Sequence, residues 1–451
     1  MALRAPAPVL APTARERAWW VLPPLVLAVL GGWLVARRYG FWFDEPYTAE
    51  VAPEPLGRLF SAFVHGDGTI AFLRDAPPSY GFPYYVVTHI WLALTPFSAD
   101  EVGLRLLSLL AMVAAVAVLT RAMARLAGRR TGLIAGLLVA TNPFVVAYSA
   151  EARGYALAVL ATALAVLGLA RWLDGEPRAL ALYGVAAACA GLFHWYALLV
   201  PAALAVAAVV LSRRGAGPER PFERGAGPER PFERGAGPIV AVTAIAALPA
   251  LAMVVTALAN GVGGSSAEWI AGAGLAALPR LLKSWAGGNP VLALAVAVAV
   301  AAGAVRGRGR ARIVALCWVA LPVAAVTAGQ LVRPLFVARY LLPAVIGLAL
   351  LAALGVASVP GRWRTAALAG LLAPSLVVTA GNITRGLRED VRGAVALVAA
   401  DHRPGEPVVA TARWDALGVS HYARRHHPEL SADLVLPPAP VPPGPTVWVV
   451  R

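Results

Sequence analysis

Residues 19–47 read WWVLPPLVLAVLGGWLVARRYGFWFDEPY, and the two halves of this stretch decide how the rest of the chain is read. The first half is apolar from Trp19 to Val35, close to the roughly 20 residues that cross about 30 Å of hydrocarbon. It ends at Arg37 and Arg38 with no clear small-residue cleavage site, which marks an uncleaved first span rather than a signal peptide. The second half sets adjacent carboxylates, Asp44 and Glu45, among Phe41, Trp42, Phe43 and Tyr47. Two acids in aromatic surroundings at a membrane edge are costly to desolvate unless they pair, bind a cation or take a proton. A general base is one use for such a site. A solvated acid pair capping the helix that Pro46 begins is the plainer one. The residues alone leave both open.

The rest of the chain repeats the first half of that stretch. Of 451 residues, 59% are hydrophobic and 14% charged, with a mean hydropathy of +0.69. A soluble domain sits nearer about 45–50% apolar and about 25% charged, so lipid is the solvent for the excess. Apolar segments fall at 19–36, 102–120, 131–148, 154–170, 179–193, 196–212, 239–259, 290–305, 313–331, 341–357 and 366–381. The expected fold is therefore an all-α polytopic membrane protein of about eleven transmembrane helices, with its membrane region over 1–381. The net charge of +15 does not call for nucleic acid, because the arginines cluster between the spans. Cys189 and Cys317 lie inside spans and imply no disulfide framework.

Basic clusters at Arg121–Arg130, Arg171/Arg178, Arg213–Arg234, Arg306–Arg312 and Arg362/Arg364 fall on alternate sides of the spans and share a side with the N-terminus. The positive-inside bias makes that side cytoplasmic and the opposite loops extracytoplasmic, in a multi-pass protein of the plasma membrane. The long loop 37–101 is then outside, with Phe82–Thr95 too short to span and expected as an interfacial helix. Residues 213–238 carry a decapeptide repeat, RGAGPERPFE, expected as a disordered cytoplasmic loop. The tail, 382–451, combines a helical Asp390–Ala400 with strand-like 407–411 and 446–450, expected as a small extracytoplasmic α/β appendage.

Three further outer clusters join the acidic pair. Ser149-Ala150-Glu151-Ala152-Arg153-Gly154-Tyr155 occupies a turn between two spans. There Glu151 and Arg153 either act on a ligand or simply neutralise each other. Arg333 and Arg339-Tyr340 sit outside against the prevailing charge bias. Bidentate phosphate binding or interfacial anchoring would each explain them. His194-Trp195-Tyr196 lies at another outer turn, where a lone histidine is more often structural.

Taken in order, Trp42–Tyr47, Pro77-Pro78-Ser79-Tyr80, Ser149–Tyr155, His194–Tyr196 and Arg339-Tyr340-Leu341-Leu342-Pro343 resemble the GT-C glycosyltransferases. More narrowly, they resemble the bacterial protein O-mannosyltransferase/aminoarabinose-transferase-like branch. Asp390-Val391-Arg392-Gly393-Ala394 is similar to the opening of the extracytoplasmic domain of such proteins. The pattern departs at Ala76-Pro77-Pro78-Ser79-Tyr80, with Tyr84-Tyr85 displaced downstream, and at Ala150, where Gln is common. The resemblance implies an inverting hexosyl- or pentosyltransferase that uses a polyprenyl-phosphate sugar donor and a hydroxyl acceptor of the envelope. It implies Asp44 as catalytic base, Glu45 orienting the acceptor or supporting a divalent cation, and Arg153 and Arg339 on the departing phosphate. Tyr47, Tyr80, Glu151, Tyr155, His194 and Tyr340 are expected to line the substrate site. The alternative is a polytopic transporter or flippase of lipid-linked saccharides, which would place polar, broken-helix features near mid-membrane.

Overall fold

The computed structural model describes residues 18–215, 235–261, 277–332, 334, 336–386, 389–410, 413–437, 439 and 447–450. Most of the repeat, Arg333, and the ends of both expected tail strands at 411 and 446 lie outside the described residues. Among the described residues, seven helices are long and apolar enough to cross a membrane, and up to ten spans result when each of three bent helix pairs is taken as one. The remaining expected span is a shorter apolar helix, Ala179–Phe193, of 15 residues. Its length matches the short apolar segment in the sequence, and it packs along Tyr155–Leu173, which in turn packs on Glu101–Ala127. Phe82–Leu94, expected at the interface, forms a helix of 13 residues and is likewise one of the shorter apolar helices.

The segment expected as one span over 131–148 is two helices, Arg129–Ala140 and Pro143–Ser149, bent by 64°. Pro143 cannot donate a backbone hydrogen bond, and Asn142 starts the second helix by accepting from the N–H groups of Phe144 and Val145, each at 3.0 Å. The freed carbonyl of Thr141 is taken up by Ser375 Oγ at 2.8 Å and Thr379 Oγ1 at 2.9 Å, both from the helix Gly361–Arg385. A backbone break buried among helices thus keeps its polar groups paired, as a low-dielectric interior requires. Close packing elsewhere relies on glycine. A Cβ on Gly303 would strike the Leu351 carbonyl, and one on Gly355 the Ala299 carbonyl, so Pro290–Arg306 and Gly347–Ser358 touch backbone to backbone.

The two ends of the bundle differ in chemistry. At the end nearest Trp19 and Trp20, Arg125 pairs with Asp174 and Glu176, Arg310 with Asp174, and Arg171 with Glu176. Arg121 lies 3.9 Å over the Trp20 ring. Three of the basic clusters assigned to one side from the sequence, those at 121–130, 171–178 and 306–312, meet there. The opposite end carries the loop that follows the first span, the turns at 150–154 and 194, and the tail.

Among its described residues the tail holds three parallel strands, β1 (Val408–Ala410), β2 (Leu434–Val435) and β3 (Trp448–Val450), in the order β2-β1-β3. The helix Val391–Asp401 and a second helix, Arg413–His426, pack with this sheet. One apolar cluster runs from Val395, Val408, Val419 and Tyr422 of the tail into Phe41, Ala49 and Leu104 of the membrane region, so the two share a core.

Asn142 also donates from Nδ2 to the Trp285 carbonyl at 2.8 Å. Asn142→Leu removes this bond and the cap together. The expected result in detergent thermal unfolding is a loss of about 2 kcal/mol or more, whereas half-buried Asn289, which caps Pro290–Arg306 by accepting from the Leu292 N–H at 2.9 Å, should cost less than about 1 kcal/mol when replaced by Ala.

Candidate functional site

Pro46 starts a short helix, Glu45–Val51, and Asp44 occupies its N-cap position. Asp44 makes no side-chain capping bond. Its carboxylate instead meets Arg339, with Oδ2 at 3.3 Å from Nη2. The plainer reading of the acid pair, a helix cap in solvent, therefore does not hold. Asp44 keeps 19% side-chain exposure, enough to meet a substrate while being screened by protein on most sides.

Glu45 is different. It is fully buried, and both of its oxygens are committed. Arg105 reaches Oε1 at 2.9 Å through Nε and Oε2 at 2.5 Å through Nη2, the fork geometry of a bidentate pair. The N–H of Ala152 donates to Oε1 at 2.8 Å and that of Trp42 to Oε2 at 2.9 Å. Arg105 directs two of its three remaining N–H donors to the carbonyls of Tyr39 and Gly40, at 2.6 and 2.9 Å. The expected divalent cation near Asp44 and Glu45 does not fit this donor set, because Glu45 has no oxygen to offer. Among the described residues no group of three or more His, Cys, Asp or Glu is placed to hold a metal.

The turn after Pro143–Ser149 is tied to the same short helix. Ala152 is held at both ends: its N–H goes to Glu45, and its carbonyl accepts from Thr48 Oγ1 at 2.8 Å. This fixes its neighbour, Arg153, beside the acidic motif. Arg153 Nη1 donates to Tyr85 Oη at 3.0 Å. Burial works against the Arg153 charge, but the field of Tyr85 and Asp44 outweighs it and raises the guanidinium above its ordinary range. Arg339, on a turn (Ala338–Leu341) at the mouth of a bent span, lies 5.0 Å from the Trp42 ring centre and 5.7 Å from that of Tyr340.

The remaining expected residues fall into two groups. Tyr155, His194, Tyr196 and Tyr340 form one aromatic cluster, with His194 5.2 Å from Tyr155 and 5.0 Å from Tyr340 between ring centres. Glu151, fully buried, lies within the field of both Arg153 and Arg339. Burial, reinforced by the charges of Arg153 and Arg339, pushes His194 down to about 3, so its ring is neutral at physiological pH. Tyr47 belongs to the other side. Its hydroxyl donates to the Ala76 carbonyl at 2.8 Å, and its ring packs between Tyr85 and Trp414, at 5.7 and 6.0 Å. Tyr80 ends the turn Pro78–Tyr80; its side chain is outside the described residues.

Three participants do not stand out in the sequence as site residues. Arg105 has a visible signal, being a charge just inside an apolar span. Tyr85 shows only as part of a motif displaced downstream. The tail contacts have no local signal. The Phe41 N–H donates to Tyr422 Oη, whose own proton goes to Glu101 at 2.8 Å. His421 Nδ1 meets Glu50 at 2.8 Å, and Arg392 donates to the Arg38 carbonyl at 2.7 Å. Burial tends to raise Glu50, but His421, Arg425 and Arg424 outweigh it and hold the carboxyl below its ordinary value.

Residues 83–217 match the family model described as dolichyl-phosphate-mannose-protein mannosyltransferase. No curated protein sequence matches the chain. ArnT from Cupriavidus metallidurans, solved with undecaprenyl phosphate, superposes with a TM-score of 0.56 at 16% identity, covering 90% of this chain and 85% of that one. The oligosaccharyltransferase AglB from Archaeoglobus fulgidus, solved with an inhibitory peptide and dolichol-phosphate, gives 0.56 at 12% identity, covering 94% of this chain and 65% of that one. Arabinofuranosyltransferase AftD from Mycobacteria gives 0.51 at 18%, with 89% of this chain matched to 30% of that one. These likenesses bear out the resemblance read from the motifs: the chain is a multi-span membrane protein with the GT-C fold.

A neutral buried His194 has a consequence for acid stability. The unfolded chain takes up a proton on this histidine below pH about 6.5, while the folded chain does not until about pH 3. The folded state therefore loses stability as pH falls through that window. In detergent, the thermal midpoint of His194→Gln should decline less steeply than that of wild type between pH 6.5 and 4. Parallel declines would show that His194 charges inside the fold.

Proposed function

We propose that this chain is an inverting GT-C glycosyltransferase that moves a hexosyl or pentosyl residue from a polyprenyl-phosphate donor to a hydroxyl acceptor on the extracytoplasmic face of the plasma membrane. The observation that carries this reading is the approach of Asp44 to Arg339, with Arg153 in the same field, at one end of a GT-C bundle. ArnT and AglB, which share the fold, were solved with polyprenyl-type phosphates. The basic clusters at the opposite end support a cytoplasmic N-terminus, with the acidic loop and the tail 382–451 outside. No nucleotide-sugar pool exists there, so the sugar must arrive already activated on a lipid anchor.

In the proposed reaction the acceptor hydroxyl attacks the anomeric carbon from the face opposite the phosphate. Asp44 takes the hydroxyl proton as the new C–O bond forms. The bond from the anomeric carbon to the phosphate oxygen breaks, and its electron pair leaves with the phosphate. Arg153 and Arg339 meet the charge that grows on that oxygen, a stabilisation worth most where water is excluded. The aromatic cluster of Tyr155, Tyr196 and Tyr340 with neutral His194 lines the donor side and adds no competing positive charge. Glu151 lies in the fields of both arginines and offsets part of their mutual repulsion. Glu45 acts as a positioning residue: its bond to Arg105 orients the turn that carries Asp44. A transporter would place polar or broken-helix features near mid-membrane, and three helix pairs are indeed bent among the described residues. Here the acids and arginines of the site gather at one end of the bundle.

Protein in lipid discs, given radiolabelled polyprenyl-phosphate sugars and an envelope extract, tests the reading. Asp44→Asn should lower label transfer by about 10²–10⁴-fold while leaving the thermal midpoint near that of wild type. An Asp44→Asn protein as active as wild type would remove Asp44 from the chemistry.

A further inference from the structure

The tail helix Arg413–His426 does more than share a core with the membrane region. Its Trp414 stands against two rings from the acidic motif, Phe43 at 6.4 Å and Tyr47 at 6.0 Å between centres. Phe43 and Tyr47 lie four residues apart and bracket Asp44 in sequence. Tyr47 is buried and its hydroxyl is bonded, so it serves as backing. Phe43, by contrast, is 39% exposed and Trp414 is half-buried. Phe43 adjoins Asp44 in sequence, so the part of this ring pair left uncovered lies beside the acidic motif, where the aromatic surface can take a partner.

We infer that Phe43 and Trp414 form the acceptor-binding surface of the site, and that the acceptor is a carbohydrate whose sugar ring lies on these two rings with one hydroxyl directed at Asp44. This rests on the transferase reading and adds the acceptor class to it. The chemistry of the surface decides the class. One face of a sugar ring presents several C–H groups carrying slight positive charge, and the negative π faces of Phe and Trp attract them, while the ring's hydroxyls remain free at the edge for the base. A peptide acceptor would look instead for main-chain partners. Among the main-chain donors of this loop, the N–H of Trp42 already goes to Glu45, that of Phe41 to Tyr422 and that of Glu45 to the Trp42 carbonyl. The rings meet at 42° and are in contact, so they present an angled platform on which one sugar face rests, not a slot around it. The platform is also assembled from two distant parts of the chain. Its angle is set by the bonds that lock the tail to the loop: Phe41 to Tyr422, Glu50 to His421, and Arg392 to the Arg38 carbonyl.

The experiment uses the full chain in lipid discs with a radiolabelled polyprenyl-phosphate sugar. A panel of octyl hexosides and pentosides, together with a Ser/Thr-rich peptide, serves as acceptors. The expected outcome is transfer to at least one glycoside and none to the peptide. Trp414→Ala should raise KM for that glycoside roughly tenfold or more, with donor KM and thermal midpoint nearly unchanged, and Trp414→Phe should recover most of the loss. A purely structural Trp414 would instead lower kcat and the midpoint together and leave acceptor KM in place, which overturns the inference. Transfer to the peptide but to no glycoside overturns it as well. A wild-type protein that releases sugar from no donor overturns the transferase reading itself, and this inference with it.

Discussion

The bidentate contact between Glu45 and Arg105 is the constraint on which the site depends. A carboxylate with no exposure and a guanidinium nearly as buried cannot stay unpaired in this environment. Their pairing joins the loop after the first span to the start of Glu101–Ala127, 60 residues further on. That helix is itself begun by Asp100, which accepts from the Gly103 N–H at 2.7 Å, so Arg105 projects from a capped and rigid turn. The spare oxygen lone pairs of Glu45 draw in Ala152, and the spare donors of Arg105 draw in Tyr39 and Gly40. Three chain segments thus converge on one charge pair. Asp44, adjacent in sequence, is left with its side chain pointing the other way, toward Arg339. Two neighbouring acids thus have different surroundings, one fully paired inside the fold and one facing Arg339 with part of its surface open.

The same end of the bundle separates charge from aromatic surface. Asp44, Glu151, Arg153 and Arg339 share one electrostatic field, with the Tyr155, His194, Tyr196 and Tyr340 rings on one flank. Phe43, Tyr47 and Trp414 stand on the other. Burial keeps His194 neutral and keeps the Tyr47 and Tyr85 hydroxyls protonated, so the site's positive charge resides in the guanidiniums. Such a division suits a reaction in which negative charge develops on a phosphate on one side and a proton leaves a hydroxyl on the other.

Much of this architecture is legible in the sequence. Hydropathy locates each of the long apolar helices because burial in lipid imposes a length requirement that local sequence must meet. The alternation of arginine clusters places them at one end, where Arg125, Arg171 and Arg310 do meet. Asp44, Arg153 and Arg339 stand out as charges at span edges, and the fold brings them together. The bend at Asn142 is hidden by the continuous apolar run of 131–148, although Pro143 carries the signal. The role of Glu45 is not readable, because its partner Arg105 is remote and looks like the edge of a span. Trp414 is invisible for a related reason: nothing local in the tail says which loop it will touch. Long-range contacts between polar groups, unlike spans, leave no periodic trace.

The positioning of Asp44 by Glu45 and Arg105 is tested most directly by a double-mutant cycle, read by thermal unfolding and by sugar transfer in lipid discs. Glu45→Leu and Arg105→Met each strand a buried partner and should cost about 3–5 kcal/mol, while the double variant Glu45→Leu/Arg105→Met should recover much of that stability. The account predicts that transfer stays impaired in the stabilised double variant, because the turn carrying Asp44 has lost its anchor. A Glu45→Leu protein that folds and transfers like wild type would contradict it.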